Sequence, residues 1–436
     1  MPEKKTAQSD IPDKAVLRTY RDEINDYLVD KLLPFWFDRS RDLENGGFIT
    51  HFDRYGNDSG EEEKSLIAQT RMLYSFSSAF RSGYGGMCKE FAEHGLDFLV
   101  NRMWDNQNGG FYWLVNRSGD IIKDDKILYG HSFAVYALSE YTLATGDDTG
   151  RVYAEKVFDL IQKHAADTLF GGYFEMFDRQ WRLAGPGSQG GDRKTLDAHM
   201  HLMEAFTNLY ECTGSGLHRR KLMEIIEVIT RRLLHPRYAT GVPQFKANWE
   251  PAPQIKFDII WGWDRFKPDG SKNSPDDNTS YGHNVELAWL MMHALDILAI
   301  PLDAYIEKIK AMLEHAIENG IDHEFGGVYV EGPHAGGVFD REKEFWQQCE
   351  VMVGMLDAYL RFGVPKYLRV YEIVHRFMFS KGINFDVGEV WPLLTREGEP
   401  IWTHMSHSWK INYHSIRAMI QSKKKLDTIL NETDRT

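Results

Sequence analysis

His201, His283 and His414 stand far apart in a 436-residue chain, yet each lies in the first turns of a segment that is otherwise nearly free of charge. Imidazole exchanges its proton near neutral pH, so histidines in apolar surroundings are candidate acids and bases. Glu286 follows His283 by three residues, a spacing that lets the carboxylate hold the ring in one tautomer and raise its basicity. Arg71, His131 and Glu350 hold corresponding places in three further segments. Arg71 has two readings, a clamp on a developing oxyanion or an ion pair with Glu350. Trp346, and Trp409 in the crowded run Trp402, His404, His407, Trp409, His414, are platforms suited to the face of a sugar. The chemistry implied is proton transfer beside an electrostatic clamp.

Such a ring of groups needs elements that bring six distant segments to one level, and the sequence carries them as a repeat. Asp42-x-x-x-Gly46-Gly47-Phe48, Asp105-x-x-x-Gly109-Gly110-Phe111, Asp167-x-x-x-Gly171-Gly172-Tyr173 and Asp322-x-x-x-Gly326-Gly327-Val328 share one pattern, with weaker cousins at Gly241 and Gly388. Between first glycines the steps are 63, 62, 70, 85 and 62 residues, giving six units. Before each marker the pattern is a charged amphipathic helix, as in Tyr153 to His164 and Pro365 to Phe379. After it comes a helix apolar most of the way round, as in Ser65 to Phe80, Tyr129 to Ala144 and His283 to Ile300. The glycines suit a tight turn at positive φ leading into a short hairpin. Six outer helix–hairpin–inner helix units predict an all-α fold, an (α/α)6 barrel with its hairpins at one end. A single domain over 12–425 is expected, with frayed ends at 1–11 and 426–436. The long step places an insertion at 248–280, which either closes over the pocket or mediates dimer contacts.

Helical phase separates neighbours within Lys194 to Tyr210. Asp197, His201, Glu204 and Asn208 fall on one stripe, and His199 lies opposite among Met203, Phe206 and Tyr210. The stripe lacks the Lys or Arg of a solvent face, so His201 is the site candidate and His199 a packing residue. Because the two rings point apart, His199-x-His201 is a poor metal pair, and His283-x-x-Glu286 offers only two ligands, so no metal is expected. Asp197, Tyr129, His131 and Glu350 join Trp346 and Trp409 as candidates for contacting a bound molecule.

The 51 Lys and Arg against 64 Asp and Glu leave a net charge of −13, which argues against nucleic acid or an anionic membrane as partner. Three widely spaced cysteines make a disulfide framework improbable. Neither an apolar leader nor a membrane span is evident, and a cytoplasmic monomer or homodimer is expected.

Four stretches, Lys194 to Tyr210, Gly282-His283-Asn-Val-Glu286-Leu-Ala-Trp289, Lys343-Glu-Phe-Trp346-Gln-Gln-Cys-Glu350 and Trp409-Lys-Ile-Asn-Tyr-His414-Ser-Ile-Arg417, resemble the acylglucosamine 2-epimerase superfamily, above all its cellobiose 2-epimerase branch. The resemblance spans nearly the whole chain and implies an (α/α)6 barrel that inverts C2 of a free or reducing-end sugar without a cofactor. It implies that His283 and His414 remove and return the C2 proton, Glu286 orients His283, Arg71 and His201 hold O1 and O2, and Trp346 and Trp409 stack the sugar. Asp197 stands where that branch has Asn, and Phe345 and Gln347 replace a Trp and a Pro. Aldose–ketose isomerisation and glycoside hydrolysis, the latter through Glu175, Glu331 or Glu389, are the competing expectations.

Overall fold

A computed structural model describes residues 12–258 and 275–433. Along the chain the helices are α1 (Lys14–Tyr27), α2 (Leu33–Arg39), α3 (Leu66–Arg81), α4 (Gly86–Phe98), α5 (Leu128–Thr145), α6 (Asp148–Leu160), α7 (Leu196–Thr213), α8 (Gly216–Val228), α9 (Tyr281–Leu298), α10 (Ile306–Gly320), α11 (Phe345–Phe362), α12 (Pro365–Phe377) and α13 (Tyr413–Thr433). From α3 onward the odd-numbered helices form the inner ring. Each packs on the next, and α13 returns to α3, closing the (α/α)6 barrel. Every even-numbered helix from α4 packs outside the inner helix that precedes it, and α1 covers α13.

Burial follows the charge pattern. Helix α5 is buried without a break from Leu128 to Tyr141. Helix α10 buries Ile309, Met312, Leu313 and Ala316, the spacing of a single stripe. Inner helices start where a side chain takes an orphan amide: Ser65, Thr195 and Ser280 accept from Ala68, Ala198 and His283.

The repeated marker is a structural lock. Its aspartate accepts from amides of its own turn and from a buried lysine at the mouth of the following inner helix. The Lys–Asp pairs are Lys64–Asp42 at 2.9 Å, Lys126–Asp105 at 3.3 Å, Lys194–Asp167 at 2.6 Å and Lys343–Asp322 at 3.2 Å. Five residues beyond each lysine, an anchor side chain takes the first amide after the glycines: Gln69 from Phe48, His131 from Phe111, His199 from Tyr173 and Gln348 from Val328. Both marker glycines have positive φ, 73° at Gly110 and 76° at Gly172. A Cβ at either would stand 2.8 Å from the anchoring imidazole, so no other residue fits.

Hairpins tie neighbouring units together. The residues leading into each inner helix pair antiparallel with the hairpin of the next unit: Lys64–Ser65 with Leu114–Val115, Lys126–Ile127 with Met176–Phe177, Arg193–Thr195 with Gln244–Lys246, Thr279–Ser280 with Glu331–Gly332, and Lys343–Glu344 with Leu393–Leu394. A bridge from Phe52 to Ser406 completes the circle. The hairpins thus link all six units in a circle at this end of the barrel.

Two boundaries need correction. Fraying expected from residue 426 is overridden because Leu426, Ile429 and Leu430 are buried, and α13 runs on to Thr433. The start of the expected insertion belongs to the regular fold: Trp249 covers Gly172 and His199 much as Trp181 covers Gly110 and His131, and Phe257 is buried near Gly190. Residues 259–274 lie outside the described residues. No helix of the described chain is long and apolar enough to cross a membrane.

Candidate active site

Two residues beyond the anchors Gln69, His131, His199, Asn284 and Gln348 the inner helices present Arg71, Phe133, His201, Glu286 and Glu350, α13 adds His414, and these side chains or their partners meet around the barrel axis. The Arg71 guanidinium lies 4.4 Å from the Phe133 ring, and Phe133 lies 4.7 Å from His201. His201 Nδ1 donates to Glu204 Oε2 at 2.9 Å, and His414 Nδ1 donates to Glu350 Oε1 at 2.6 Å. With Nδ1 committed, the Nε2 atoms of both rings are the acceptors, which is the tautomer a base requires.

Arg417 joins the two dyads. Fully buried, it donates to Glu204, to Glu286 at 2.9 Å and to Glu350 at 2.6 Å. One guanidinium cannot balance three carboxylates. Burial pushes Glu286 well above its ordinary range, helped by Glu350 and only partly opposed by Arg417. Burial acts on Glu204 and Glu350 too, but Arg417 and their histidines hold both below the usual carboxylate range. Burial drives His414 down to about 3 against the pull of Glu350, so the ring is neutral at physiological pH.

His283 sits one residue before its anchor Asn284, nearer the mouth, with its side chain about 24% exposed. Its Nε2 lies 3.6 Å from Asp197 Oδ1. Trp346 lies beside both remaining histidines, with ring centroids 4.4 Å from His283 and 5.8 Å from His414. Glu344 fixes that indole by accepting from its Nε1 at 2.8 Å. Across the opening Trp409 stacks on Tyr129, centroids 5.1 Å apart and planes 9° from parallel. Arg71 ties this wall together, donating to the Trp409 carbonyl at 2.9 Å and to the Tyr129 hydroxyl at 3.0 Å.

Most of the expected set is thus brought together: His201, His283, His414, Arg71, Trp346, Trp409, Tyr129 and Asp197. Three expectations are revised. His131 is an anchor, fully buried with Nδ1 on the Ile127 carbonyl and Nε2 on the Phe111 amide, and reaches no opening. Glu286 accepts from Arg417, and a carboxylate that does stand near His283 is Asp197. Glu350 serves His414 and Arg417 from full burial, and among the described carboxylates none pairs with Arg71. Arg417 was missed because its partners come from three other helices. Lysine, four residues, anchor, one residue, inward position is the sequence signal that distinguishes His131 from His201.

The carboxylates a hydrolase would need are occupied. Burial lifts Glu175 to about 8, and it accepts from Thr195. Glu331 accepts from Asn278 at 2.6 Å, and Glu389 accepts from Trp36 at 2.7 Å. Glu286, Glu350 and His414 each offer a ligand atom within 4.8 Å of one another, but a metal there would have to displace the Arg417 guanidinium.

The fold is an (α/α)6 barrel whose axis and mouth gather three histidines, an arginine and two indoles. The chain belongs to the N-acylglucosamine 2-epimerase family, whose model matches residues 47–418. It is an isomerase-class enzyme, a carbohydrate epimerase. A cellobiose 2-epimerase of Bacteroides fragilis is 30% identical over 356 residues, covering 79% of this chain and 83% of the relative. A D-mannose isomerase of Marinomonas mediterranea is 24% identical, over 91% of this chain and 96% of the relative. The solved cellobiose 2-epimerase of Spirochaeta thermophila superposes with a TM-score of 0.83 at 29% identity, over 95% of this chain and 98% of that one.

Proposed function

We propose that the enzyme interconverts gluco and manno configuration at C2 of a free aldose or reducing-end unit, either D-mannose and D-glucose or cellobiose and its 4-O-glucosyl-mannose epimer. Ring opening exposes a C1 carbonyl, which makes the C2 proton acidic. One of His283 and His414 takes that proton, a planar enediolate forms, and the other returns a proton to the opposite face. Arg71 holds the oxygen on which charge develops, His201 accepts the hydroxyl proton of the other of O1 and O2 on its bare Nε2, and Trp346 and Trp409 stack the sugar. The observation that carries this reading is the pair of imidazoles beside one indole, since a sugar stacked on Trp346 lies within reach of both.

The D-mannose isomerase relative favours a second reading, aldose–ketose isomerisation, which uses the same enediolate and returns the proton to C1. Incubating purified protein with mannose, glucose, cellobiose or N-acetylglucosamine and following products by NMR separates the two. The proposal expects the C2 epimer as the main product. Ketose as the main product supports the isomerase, and cleavage of cellobiose contradicts both.

A further inference from the structure

We infer that Arg417 is a positioning residue that keeps Nε2 of both His201 and His414 free of a proton by holding Glu204 and Glu350 ionised at once. The inference rests on the proposed acid–base reading of this site. Arg417 touches neither imidazole's Nε2. It acts through the carboxylates, donating to Glu204 on α7 and to Glu350 on α11, and each carboxylate in turn takes the Nδ1 proton of its histidine. The other charged and titratable groups facing this cluster are Glu286 on α9, Arg71 and Tyr74 on α3, Tyr129 and Tyr136 on α5, Cys349 on α11, and Tyr413 beside Arg417. Burial holds the four tyrosines and the Cys349 thiol above their ordinary ranges, so they remain neutral, and it pushes Glu286 well above the usual carboxylate range.

Losing the cation raises the proton affinity of both dyads. Whichever member takes the extra proton, the Nε2 acceptor is lost. If the imidazole takes it, both nitrogens are protonated. If the carboxyl takes it, the carboxyl donates to Nδ1 and the ring proton moves to Nε2. Because the same guanidinium serves both pairs, the two histidines lose their function together. A merely structural arginine would lower stability without moving either titration.

The test compares Arg417→Gln, Arg417→Lys and the wild type. Nitrogen-15 spectra of histidine-labelled protein, assigned with His201→Asn and His414→Asn, report each tautomer without reference to turnover. Wild type is expected to show the Nδ1–H form at His414 between about pH 5.5 and 8, and Nδ1–H as the neutral tautomer of His201. Arg417→Gln is expected to move the acid limb of kcat up by about one pH unit, an approximately tenfold loss at pH values below the limb. Arg417→Lys, which keeps a cation, is expected to restore most of that shift. Thermal melts identify a variant that does not fold, and the wild-type spectra then decide alone. A His414 titrating near its ordinary value in wild type, or a neutral His201 carrying its proton on Nε2, overturns the inference, as does a folded Arg417→Gln with an unmoved limb. Absence of epimerisation by the wild type would refute the functional reading and leave the spectra to judge Arg417.

Discussion

His199 and His201 are two residues apart on α7, and their substitutions should fail in opposite ways. His199 is fully buried, donates from Nδ1 to the Thr195 carbonyl at 2.7 Å and accepts the Tyr173 amide on Nε2 at 3.0 Å. His199→Ala strands that buried amide, costing about 1–3 kcal/mol, and leaves a cavity the size of an imidazole, costing about 2 kcal/mol more. The sum is about 3–5 kcal/mol. With an unfolding entropy of about 2 cal/mol/K per residue, a chain of this length loses about 1 °C per kcal/mol, so Tm should fall by about 3–5 °C. Turnover of the folded fraction should stay within about twofold of wild type. His199→Gln should recover all but about 1 kcal/mol, because Gln69 and Gln348 already do this work, each accepting a marker amide on Oε1 and donating from Nε2 to the carbonyl of the same residue. Melts followed by circular dichroism, with kcat normalised to folded protein, read both effects. A hundredfold loss of kcat at unchanged Tm, or a Gln variant no better than Ala, would refute the assignment of His199 as an anchor.

His283→Ala and His414→Ala should each cut C2 proton exchange by at least about a hundredfold while melting within a few degrees of wild type; near-normal exchange in either variant would remove it from the acid–base pair. Trp409→Ala unstacks Tyr129 and opens the wall that Arg71 holds, and steady-state kinetics should show KM rising about tenfold with a smaller change in kcat. Burial alone would raise Asp42, but Lys64, its own turn amides and Arg117 bring it down to about 2. A depressed carboxylate contributes stability above its unfolded pKa of about 4 and loses it as pH falls toward 2. Asp42→Asn should therefore be less stable than wild type at pH 7, with the gap closing toward pH 2 in urea titrations; a gap independent of pH would contradict the lock.

The barrel was legible because its units are local. Each marker, each amphipathic outer helix and each apolar inner helix is written within a few turns of chain, and helical phase alone separated His199 from His201. What escaped the sequence depends on side chains meeting across the ring. Glu286 and His283 have the spacing of a pair, but the wall between them is set by which residue follows the anchor: Asn284 locks the hairpin, Glu286 points to the axis and His283 to the mouth. Arg417 finds Glu204, Glu286 and Glu350 only because α7, α9 and α11 converge on α13. His131 was misplaced although the signal was present, since Lys126 stands five residues before it just as Lys194 stands before His199.

Deuterium at C2 is the most direct test of the central claim. Purified enzyme is incubated with mannose or cellobiose in D2O, and the sugars are examined by proton NMR as the epimers approach equilibrium. Proton transfer through an enediolate predicts that the epimer formed carries deuterium at C2, and that His283→Ala and His414→Ala abolish its incorporation. Epimer that retains its original C2 hydrogen in full would contradict the account.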